Sequence, residues 1–491
     1  MSRKRIILVT AGIMLSLFLA SMESTVVATA MPTIVGQLGG LEHYSWVFSA
    51  YMLASTTVVP LYGKISDLYG RRKLYVFAMA LFLIGSVLCG VANSMTQLIF
   101  ARALQGVGAG GLMPLAFILI GEMFTLEERA KMQGFFSGVW GVSSIVGPLL
   151  GGFLVDQLSW RWIFYINIGP GLLAAALVAF AWRDQAQHHE RPAIDYAGAA
   201  LLTVSVVMLL LGLMGSGTSS WILISGALIL FVLLLWVERR AADPILPLAL
   251  FRDRLFSTAT LHGVLSGWTV FGSVSFIPLF VQSVMGTSAT QAGITITPML
   301  LGWVMASIIG TRLLLTIGYR RLGLIGTAAF TVGAFLMSRA GMNSSQLSLM
   351  IFVALMGIGM GLSIPAYLIA VQTSVQRRQL GTATSTLQFS RSMGGTLGVS
   401  VMGAALSARL SSNLVGSGLD LDLVRQLLDP LPGAEVVIAE GARVAMADAI
   451  HLVFLIAFGA AALAMVTVFF APRTELIERS PEPERSAVSA D

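Results

Sequence analysis

The sequence predicts an all-α integral membrane protein that crosses the membrane many times. Hydrophobic residues make up 56 % of the 491 residues and charged residues only 11 %, and the mean hydropathy is +0.84. Soluble domains carry about a quarter charged residues, so the composition excludes an ordinary water-soluble fold. Long apolar stretches separated by polar loops extend over almost the whole chain. Their length fits spanning helices, which satisfy their backbone hydrogen bonds inside the bilayer.

Fourteen segments are apolar over the roughly 20 residues that a helix needs to cross a bilayer. Their limits are 6–30, 45–63, 74–92, 98–121, 133–155, 162–182, 194–214, 221–238, 256–284, 293–315, 322–340, 347–371, 380–406 and 449–471. The first segment follows three basic residues, as a signal peptide does. It is too long for a signal core and contains Glu23, so we interpret it as a retained first span.

The basic residues indicate how the chain is oriented. An even number of spans places both termini on the same side of the membrane. Most of the 30 Lys and Arg residues then fall in loops on that side, which the positive-inside rule makes cytoplasmic. This distribution explains the net charge of +6 without a nucleic-acid partner. We expect a cell inner (cytoplasmic) membrane protein with cytoplasmic termini.

Two parts of the chain repeat each other. The glycine-rich run from Gly106 to Pro114 recurs from Gly357 to Pro365, and the loop from Gly63 to Lys73 maps onto Gly310 to Arg321. Two copies of one helical unit around a site near the membrane midplane are typical of transporters. The repeat therefore predicts two six-helix bundles, with spans seven and eight inserted between them.

This repeat defines the predicted domain organisation. The predicted parts are an N-terminal six-helix bundle in 1–182, a linker with two extra helices in 183–255, a C-terminal six-helix bundle in 256–471 and a disordered cytoplasmic tail in 472–491. The longest outer loop is predicted at 407–448. Within it, Leu421 to Leu428 has the pattern of a short amphipathic surface helix.

Glu23 is the only acidic residue well inside a predicted span. Because an ionised carboxylate is costly in hydrocarbon, a buried acid is a functional candidate, here for carrying protons. Arg102 in span four cannot lose its charge and needs a partner or water. Both residues lie in the outer half of the membrane, so we expect a contact, direct or through water. The alternatives are a protonated Glu23 bonded between helices and an Arg102 bonded to helix carbonyls.

Other residues within the spans suggest a bend, close packing and a polar patch. Gly147-Pro148 should bend span five, because proline removes a backbone hydrogen bond. Gly151 and Gly152 allow another helix to pack closely, and simple packing is the competing interpretation.

In span thirteen, Gln388 and Arg391 form a polar patch that either lines a cavity or pairs with the backbone. No nucleotide-binding loop, metal site or activated nucleophile is recognisable, so we expect no cofactor and no enzyme activity.

Five stretches, taken in order, resemble motifs of the major facilitator superfamily. They are Glu23–Pro32, Gly63–Lys73, Arg102–Gly108, Gly147–Gly152 and Trp160–Asn167. The second is similar to the signature loop of the superfamily, and the fourth is similar to a motif of its antiporters. The first and last resemble marks of the 14-span drug:proton antiporters, although members of that family commonly have Asp where this chain has Glu23.

The resemblance implies roles for several residues. Burial and charge make Glu23 and Arg102 the candidates for proton coupling, and the signature loop is expected to act as a conformational latch. In that latch, Asp67 is expected to contact the start of span thirteen near Leu380. The other latch residues are Gly63, Gly70, Arg71 and Glu122, and the antiporter motif comprises Gly147, Pro148, Gly151 and Gly152.

Taken together, the sequence predicts a proton-coupled antiporter that exports lipophilic neutral or monocationic compounds by alternating access. Its partners are then small lipophilic substrates, protons and membrane lipids, and it works as a monomer. One alternative is an exporter dedicated to a single endogenous lipid, siderophore or antibiotic. Another is a membrane receptor or scaffold that does not transport, against which the buried Glu23 argues. An ion channel fits poorly, since the two-fold repeat carries one asymmetric carboxylate.

Overall fold

The structure is a computed structural model of the whole chain. It describes residues 2–38, 44–182, 195–214, 218–241, 244, 246, 248–287, 289–376, 379–417 and 440–473. These residues are almost entirely helical and include no strand. The predicted class, an all-α membrane protein, is therefore confirmed.

The helices are numbered in chain order. They are α1 (Arg3–Leu38), α2 (Tyr44–Tyr69), α3 (Arg71–Val91), α4 (Met95–Met123), α5 (Leu126–Gln157), α6 (Trp162–Tyr165), α7 (Ile168–Ala181), α8 (Tyr196–Met214), α9 (Thr218–Glu238), α10 (Arg254–Ser283), α11 (Ala289–Ser338), α12 (Gln346–Ser374), α13 (Leu380–Ser417) and α14 (Glu440–Phe469). A 3₁₀ turn at Leu250–Arg252 precedes α10.

Each predicted span overlaps one of these helices. The sixth span corresponds to α6 and α7 together. The tenth and eleventh spans both lie in α11, on either side of Gly318. In the described part of the chain, nine helices are long and apolar enough to cross a membrane. The total of 14 spans stays a prediction.

Local sequence signals explain where several helices begin. The side chains of Ser94, Asp253 and Ser345 cap α4, α10 and α12 by accepting hydrogen bonds from backbone N–H groups of the first turn. At α5, Thr125 and Glu128 form a reciprocal capping box. Such caps satisfy N–H groups that have no partner inside the helix.

Two equivalent glycines allow the sharp turns of the repeated loops. Gly70 lies between α2 and α3 with φ of 92°, and Gly318 lies inside α11 with φ of 77°. Only glycine adopts such angles at little cost. Gly318 therefore divides α11 into two arms, as Gly70 separates α2 from α3.

The two glycine-rich runs also make equivalent contacts. A Cβ at Gly106 of α4 would meet the Tyr51 carbonyl of α2 at 2.5 Å. At the equivalent position of α12, a Cβ at Gly357 would meet the carbonyl of Met299 in the first arm of α11. The absence of a side chain on both glycines lets the helix backbones touch. The sequence repeat thus corresponds to a repeat of helix packing.

Buried apolar side chains form separate clusters in the first and last parts of the chain. One cluster is built from residues between Val9 and Trp182, and two others from residues between Leu255 and Ala471. Large apolar side chains such as Phe180, 84 % exposed, cover the outer surface. A solvent-exposed surface of this kind would be unusual in a soluble protein, whereas lipid accommodates it.

The most extensive contacts between these parts are those of α2 with α13 and of α5 with α11, and α4 also contacts α13. Helices α8 and α9 pack on each other, and α8 also contacts α2 and α13. The division into two bundles and a linker stays a prediction.

The boundaries of the last two helices differ from the prediction. Helix α13 continues to Ser417 and α14 begins at Glu440, so both helices extend into the predicted loop at 407–448. One stabilising contact is the ion pair of 2.7 Å between Arg409 Nε and Asp448 Oδ2. The predicted amphipathic helix at 421–428 and the tail from 474 onward lie outside the described residues.

Candidate functional site

The structure brings Glu23 of α1 and Arg102 of α4 into direct contact. Arg102 Nη1 lies 2.7 Å from Glu23 Oε1, and the exposed fractions of the two residues are 1 % and 0 %. The same Nη1 donates to Gln105 Oε1 at 2.7 Å, and Arg102 Nε donates to the Val47 carbonyl at 3.2 Å. The guanidinium also lies over the ring of Tyr51, 4.2 Å from its centroid. A charge that stays buried needs partners of this kind.

Asn167 donates a hydrogen bond to the second carboxylate oxygen of Glu23. Its Nδ2 donates to Glu23 Oε2 at 2.7 Å and lies 3.4 Å from Ser86 Oγ. Asn167 is buried in the short break between α6 and α7, where the sequence had predicted one continuous span. Gln105 completes the network by donating to Ser86 Oγ at 2.8 Å.

The sequence analysis did not select Asn167 or Gln105 as site residues. A polar amide within an apolar span is the signal that could have identified both.

The contacts of this network depend on whether Glu23 is ionised. When ionised, Glu23 accepts hydrogen bonds from Arg102 and Asn167 at its two oxygens. A proton on the carboxyl removes the negative charge that balances Arg102 and therefore weakens their contact. Because Glu23 lies on α1, Arg102 on α4 and Asn167 in the break between α6 and α7, protonation changes the attraction between these elements.

Asp67 of α2 joins the two parts of the chain by capping α13. Its Oδ1 accepts from Gly381 N at 3.1 Å, and its Oδ2 accepts from Thr382 N at 2.8 Å and Thr382 Oγ1 at 2.9 Å. These N–H groups belong to the first turn of α13 and have no partner within that helix. A carboxylate there also interacts favourably with the positive end of the helix dipole.

Arg71 and Glu122 extend this cluster. Arg71 Nη2 lies 2.9 Å from Asp67 Oδ1 and 3.5 Å from Glu122 Oε1. Gly63, one turn before Asp67, packs directly on α13: an added Cβ would meet the Ser385 side chain and lie 2.8 Å from the Gly381 carbonyl. The structure therefore brings Gly63, Asp67, Arg71 and Glu122 together at one contact between α2, α3, α4 and α13, and Gly70 directly precedes Arg71 in the turn between α2 and α3. Their role as a latch stays a prediction.

The glycines predicted to form an antiporter motif lie in α5. Gly147 and Gly151 are buried in this helix, which packs against α1 and α11. The side chain of Pro148 and the surroundings of Gly152 lie outside the described part of the structure. The role of this motif stays a prediction.

A cavity of about 320 Å³ lies between the first and last parts of the chain. Its wall includes Ser21 of α1 and residues of α4 and α5 such as Met113 and Trp140, and the rest of the wall comes from α10 to α13. The rings of Trp140 and Trp303 meet across the two parts, with centroids 6.4 Å apart. Small-molecule sites have this size and predominantly apolar character.

The polar groups of this cavity come mainly from the last part of the chain. Gln388 and Arg391 of α13 both line it, as does His262, whose Nε2 lies 3.0 Å from Thr327 Oγ1. Among the described residues, the wall contains no carboxylate. Glu23 is not part of this wall. The reason is that its side chain points into the network of Arg102 and Asn167.

These observations define the class of protein first: a multi-pass α-helical membrane protein with an apolar cavity between two similarly packed parts. The sequence profile of the Major Facilitator Superfamily matches residues 13–399. The chain belongs to this superfamily of membrane transporters, and the resemblance noted in the sequence is confirmed.

Two relatives from Bacillus subtilis (strain 168) carry names that describe drug transport. The chain is 41 % identical to the multidrug transporter protein MdtP over 87 % of this chain and 79 % of the relative. It is 38 % identical to multidrug resistance protein 3 over 94 % of each chain. Among solved structures, the proton:xylose symporter XylE superposes with a TM-score of 0.66, covering 97 % of this chain and 98 % of that one. At 13 % identity this last similarity concerns the fold alone.

Proposed function

We propose that the protein is a multidrug efflux transporter that exports lipophilic compounds in exchange for protons. Names of two similar bacterial proteins, a multidrug transporter and a multidrug resistance protein, support efflux as the direction. The observation that carries proton coupling is the fully buried Glu23, bonded to Arg102 and Asn167. Two helices of this network, α1 and α4, also contribute Ser21 and Met113 to the cavity wall.

The proposed cycle alternates access between two six-helix bundles, 1–182 and 256–471. Proton binding at Glu23 weakens its contact with Arg102, lets α1 and α4 shift, and so changes the cavity wall. The Asp67 contact with α13 holds one of the two states. The bundles, a linker at 183–255, a monomeric state and cytoplasmic termini in the inner membrane are all part of this proposal.

Neutral lipophilic compounds are the substrates that this cavity suits best. Its wall is predominantly apolar, and a neutral compound needs no counter-charge there. A compound with a single positive charge, the other predicted class, needs Glu23 as its counter-ion. It is transported only from a state in which Arg102 has left Glu23 exposed to the cavity.

Proton flux in proteoliposomes tests this function. A growth-inhibition panel first identifies an exported neutral compound by comparing cells with and without the protein. Adding that compound to liposomes that contain the protein should then release protons, at a rate that follows substrate transport. If the compound is transported without proton movement, the protein is a facilitator and not a proton-coupled antiporter. If no compound is transported, a receptor or scaffold is favoured.

A further inference from the structure

Arg391 is the one charged side chain among the described residues of the cavity wall. It is half-buried on α13, and its backbone is covered by α10, where a Cβ at Gly267 would meet the Arg391 carbonyl and lie 3.2 Å from Arg391 Cγ. This close contact holds the base of the side chain against α10. The position of Arg391 is therefore part of the helix packing and is not that of a loose surface residue.

The guanidinium of Arg391 differs from that of Arg102. Arg102 is bonded to Glu23, to Gln105 and to a backbone carbonyl. The Arg391 guanidinium, by contrast, forms no ion pair or hydrogen bond with any part of the chain that the structure describes. Arginine stays protonated in proteins, and a charge in apolar surroundings needs a partner. Because the described residues supply no such partner, a group that enters the cavity, as water or as part of a ligand, would meet this need.

Gln388 presents a second unused donor beside Arg391. It precedes Arg391 by three positions on α13, which puts both side chains on the same face of the helix. Gln388 also lines the cavity, is only 6 % exposed, and its Nε2 has no hydrogen-bond partner among the described residues. Buried polar groups are normally paired, so an unpaired donor in a cavity wall indicates where an acceptor binds.

The rest of the wall favours an amphiphile over a small hydrophilic anion. Aromatic side chains such as Trp140, Trp303 and Phe271 and several methionines surround the cavity, and no carboxylate competes for Arg391 within the described wall. A guanidinium binds a carboxylate through two parallel hydrogen bonds, an arrangement that neither an amide nor an ammonium can reproduce.

We propose that Arg391 and Gln388 form a subsite for an oxyanion on the substrate, so that the transporter binds lipophilic compounds bearing one carboxylate. The carboxylate accepts hydrogen bonds from the guanidinium and from Gln388 Nε2, and the apolar body of the compound contacts the aromatic wall. This assignment rests on the proposed export function and extends its substrates from neutral compounds to lipophilic monoanions.

Equilibrium binding to the purified full chain tests the subsite. The protein is placed in nanodiscs of zwitterionic lipid, and empty nanodiscs are the blank. Three fluorescent probes share one apolar body: dansyl-undecanoic acid, its primary amide and the corresponding amine. Hydrogen bonds to charged groups correspond to about tenfold to hundredfold in affinity. We therefore expect the acid to bind at least about tenfold more tightly than the amide, and the amine to bind most weakly.

Variants at the two positions separate the subsite from a general effect on folding. Arg391→Met should abolish the preference for the acid, because the acid loses a charged partner whereas the amide loses at most a hydrogen bond to its carbonyl oxygen. Arg391→Lys should retain part of the preference, because it keeps the charge but not the planar fork. Gln388→Leu should reduce it by a few-fold. Equal binding of acid and amide by the natural protein would overturn the subsite, as would a preference that survives Arg391→Met. If Arg391→Met does not fold, the other two variants provide the test. A preference for the acid that neither Arg391→Lys nor Gln388→Leu reduces would overturn the subsite.

Failure of the subsite and failure of the proposed function give different results. Binding does not require proton coupling. If the protein prefers the acid but transports no compound in proteoliposomes, the proposed export function is refuted and the proposed subsite is supported. If the protein exports the amide in exchange for protons but shows no preference for binding the acid, the subsite is refuted and the export function is supported.

Discussion

Asp67 of α2 is bonded to Thr382 of α13 through both the backbone and the side chain of Thr382, at 2.8 Å and 2.9 Å. The two residues lie in the first and last parts of the chain and bring the ends of α2 and α13 together. An inter-helical cap of this kind can be broken without unfolding either helix. It is therefore suited to a contact that forms in one state and opens in another.

Asp67→Asn should weaken this contact while leaving the protein folded. Asparagine keeps an acceptor oxygen but loses the charge that faces Arg71 and the first turn of α13. Hydrogen bonds to a charged group are worth about 1.5–3 kcal/mol, so the equilibrium between the two states should shift about tenfold to hundredfold. Distances between spin labels on α2 and α13 measure the shift. Unchanged distances and transport at normal expression would leave Asp67 as an ordinary helix cap.

Gly63→Ala tests the same contact by a steric route. The new Cβ would meet the Ser385 side chain and lie 2.8 Å from the Gly381 carbonyl, so α2 and α13 could not close fully. We expect slow transport and the same displacement of spin labels as for Asp67→Asn. Gly138→Ala is the matched control, because nothing lies within 4 Å of a Cβ there. Equal transport by the two alanine variants would contradict close packing at Gly63.

Glu23→Gln should uncouple transport from protons. The substitution keeps the size of the side chain but cannot ionise, so it mimics a permanently protonated acid. We expect proton-driven uptake into inverted vesicles to be lost, while substrate binding and substrate exchange continue. The variant should also be less stable, because Arg102 loses a buried partner. Glu127→Gln, at an exposed acid at the start of α5, is the control. Proton-driven uptake at the normal rate by Glu23→Gln would refute this role.

Residue types and motifs allowed parts of these sites to be anticipated from the sequence. A single acid deep in the first span pointed to Glu23, and the resemblance to a known loop pointed to Asp67 and the start of α13. The structure places both beside the expected partners, Arg102 and Gly381. In each case a charge in a membrane protein limits the possible neighbours strongly.

The cavity wall could not be predicted in the same way. In a membrane both the lipid-facing and the interior surfaces of a helix are apolar, so periodicity does not tell which side chains face a neighbour. Trp140 and Trp303 were therefore not recognised as wall residues. The sequence also did not reveal that Glu23 lies outside the cavity wall. The second partner of Glu23 is Asn167, which lies in a break within span six. Hydropathy alone does not predict such a break.

Labelling of single cysteines should establish the orientation of the chain. The only natural cysteine, Cys89, is buried and should stay silent. Ser412 near the end of α13 and Lys73 near the start of α3 are both exposed. In intact spheroplasts an impermeant maleimide should label Ser412→Cys but not Lys73→Cys, which should react only after permeabilisation. The reverse pattern would place the termini outside the cell.

The charge of the substrate gives the last prediction. The described wall of the cavity holds Arg391 and no carboxylate, and Glu23 can balance at most one positive charge. A dication therefore leaves at least one charge uncompensated in apolar surroundings, at a cost of several kcal/mol.

Because each 1.4 kcal/mol corresponds to about tenfold in affinity, dications such as bis-biguanides should be exported roughly a hundredfold less well than matched neutral compounds. Growth inhibition of cells with and without the protein measures this difference. Leu300→Asp places a carboxylate in the cavity wall on α11 and should raise resistance to the dication, whereas the conservative Leu300→Met should not. Equal resistance to dicationic and neutral compounds in the natural protein, with no gain from Leu300→Asp, would show that another acid already reaches the substrate.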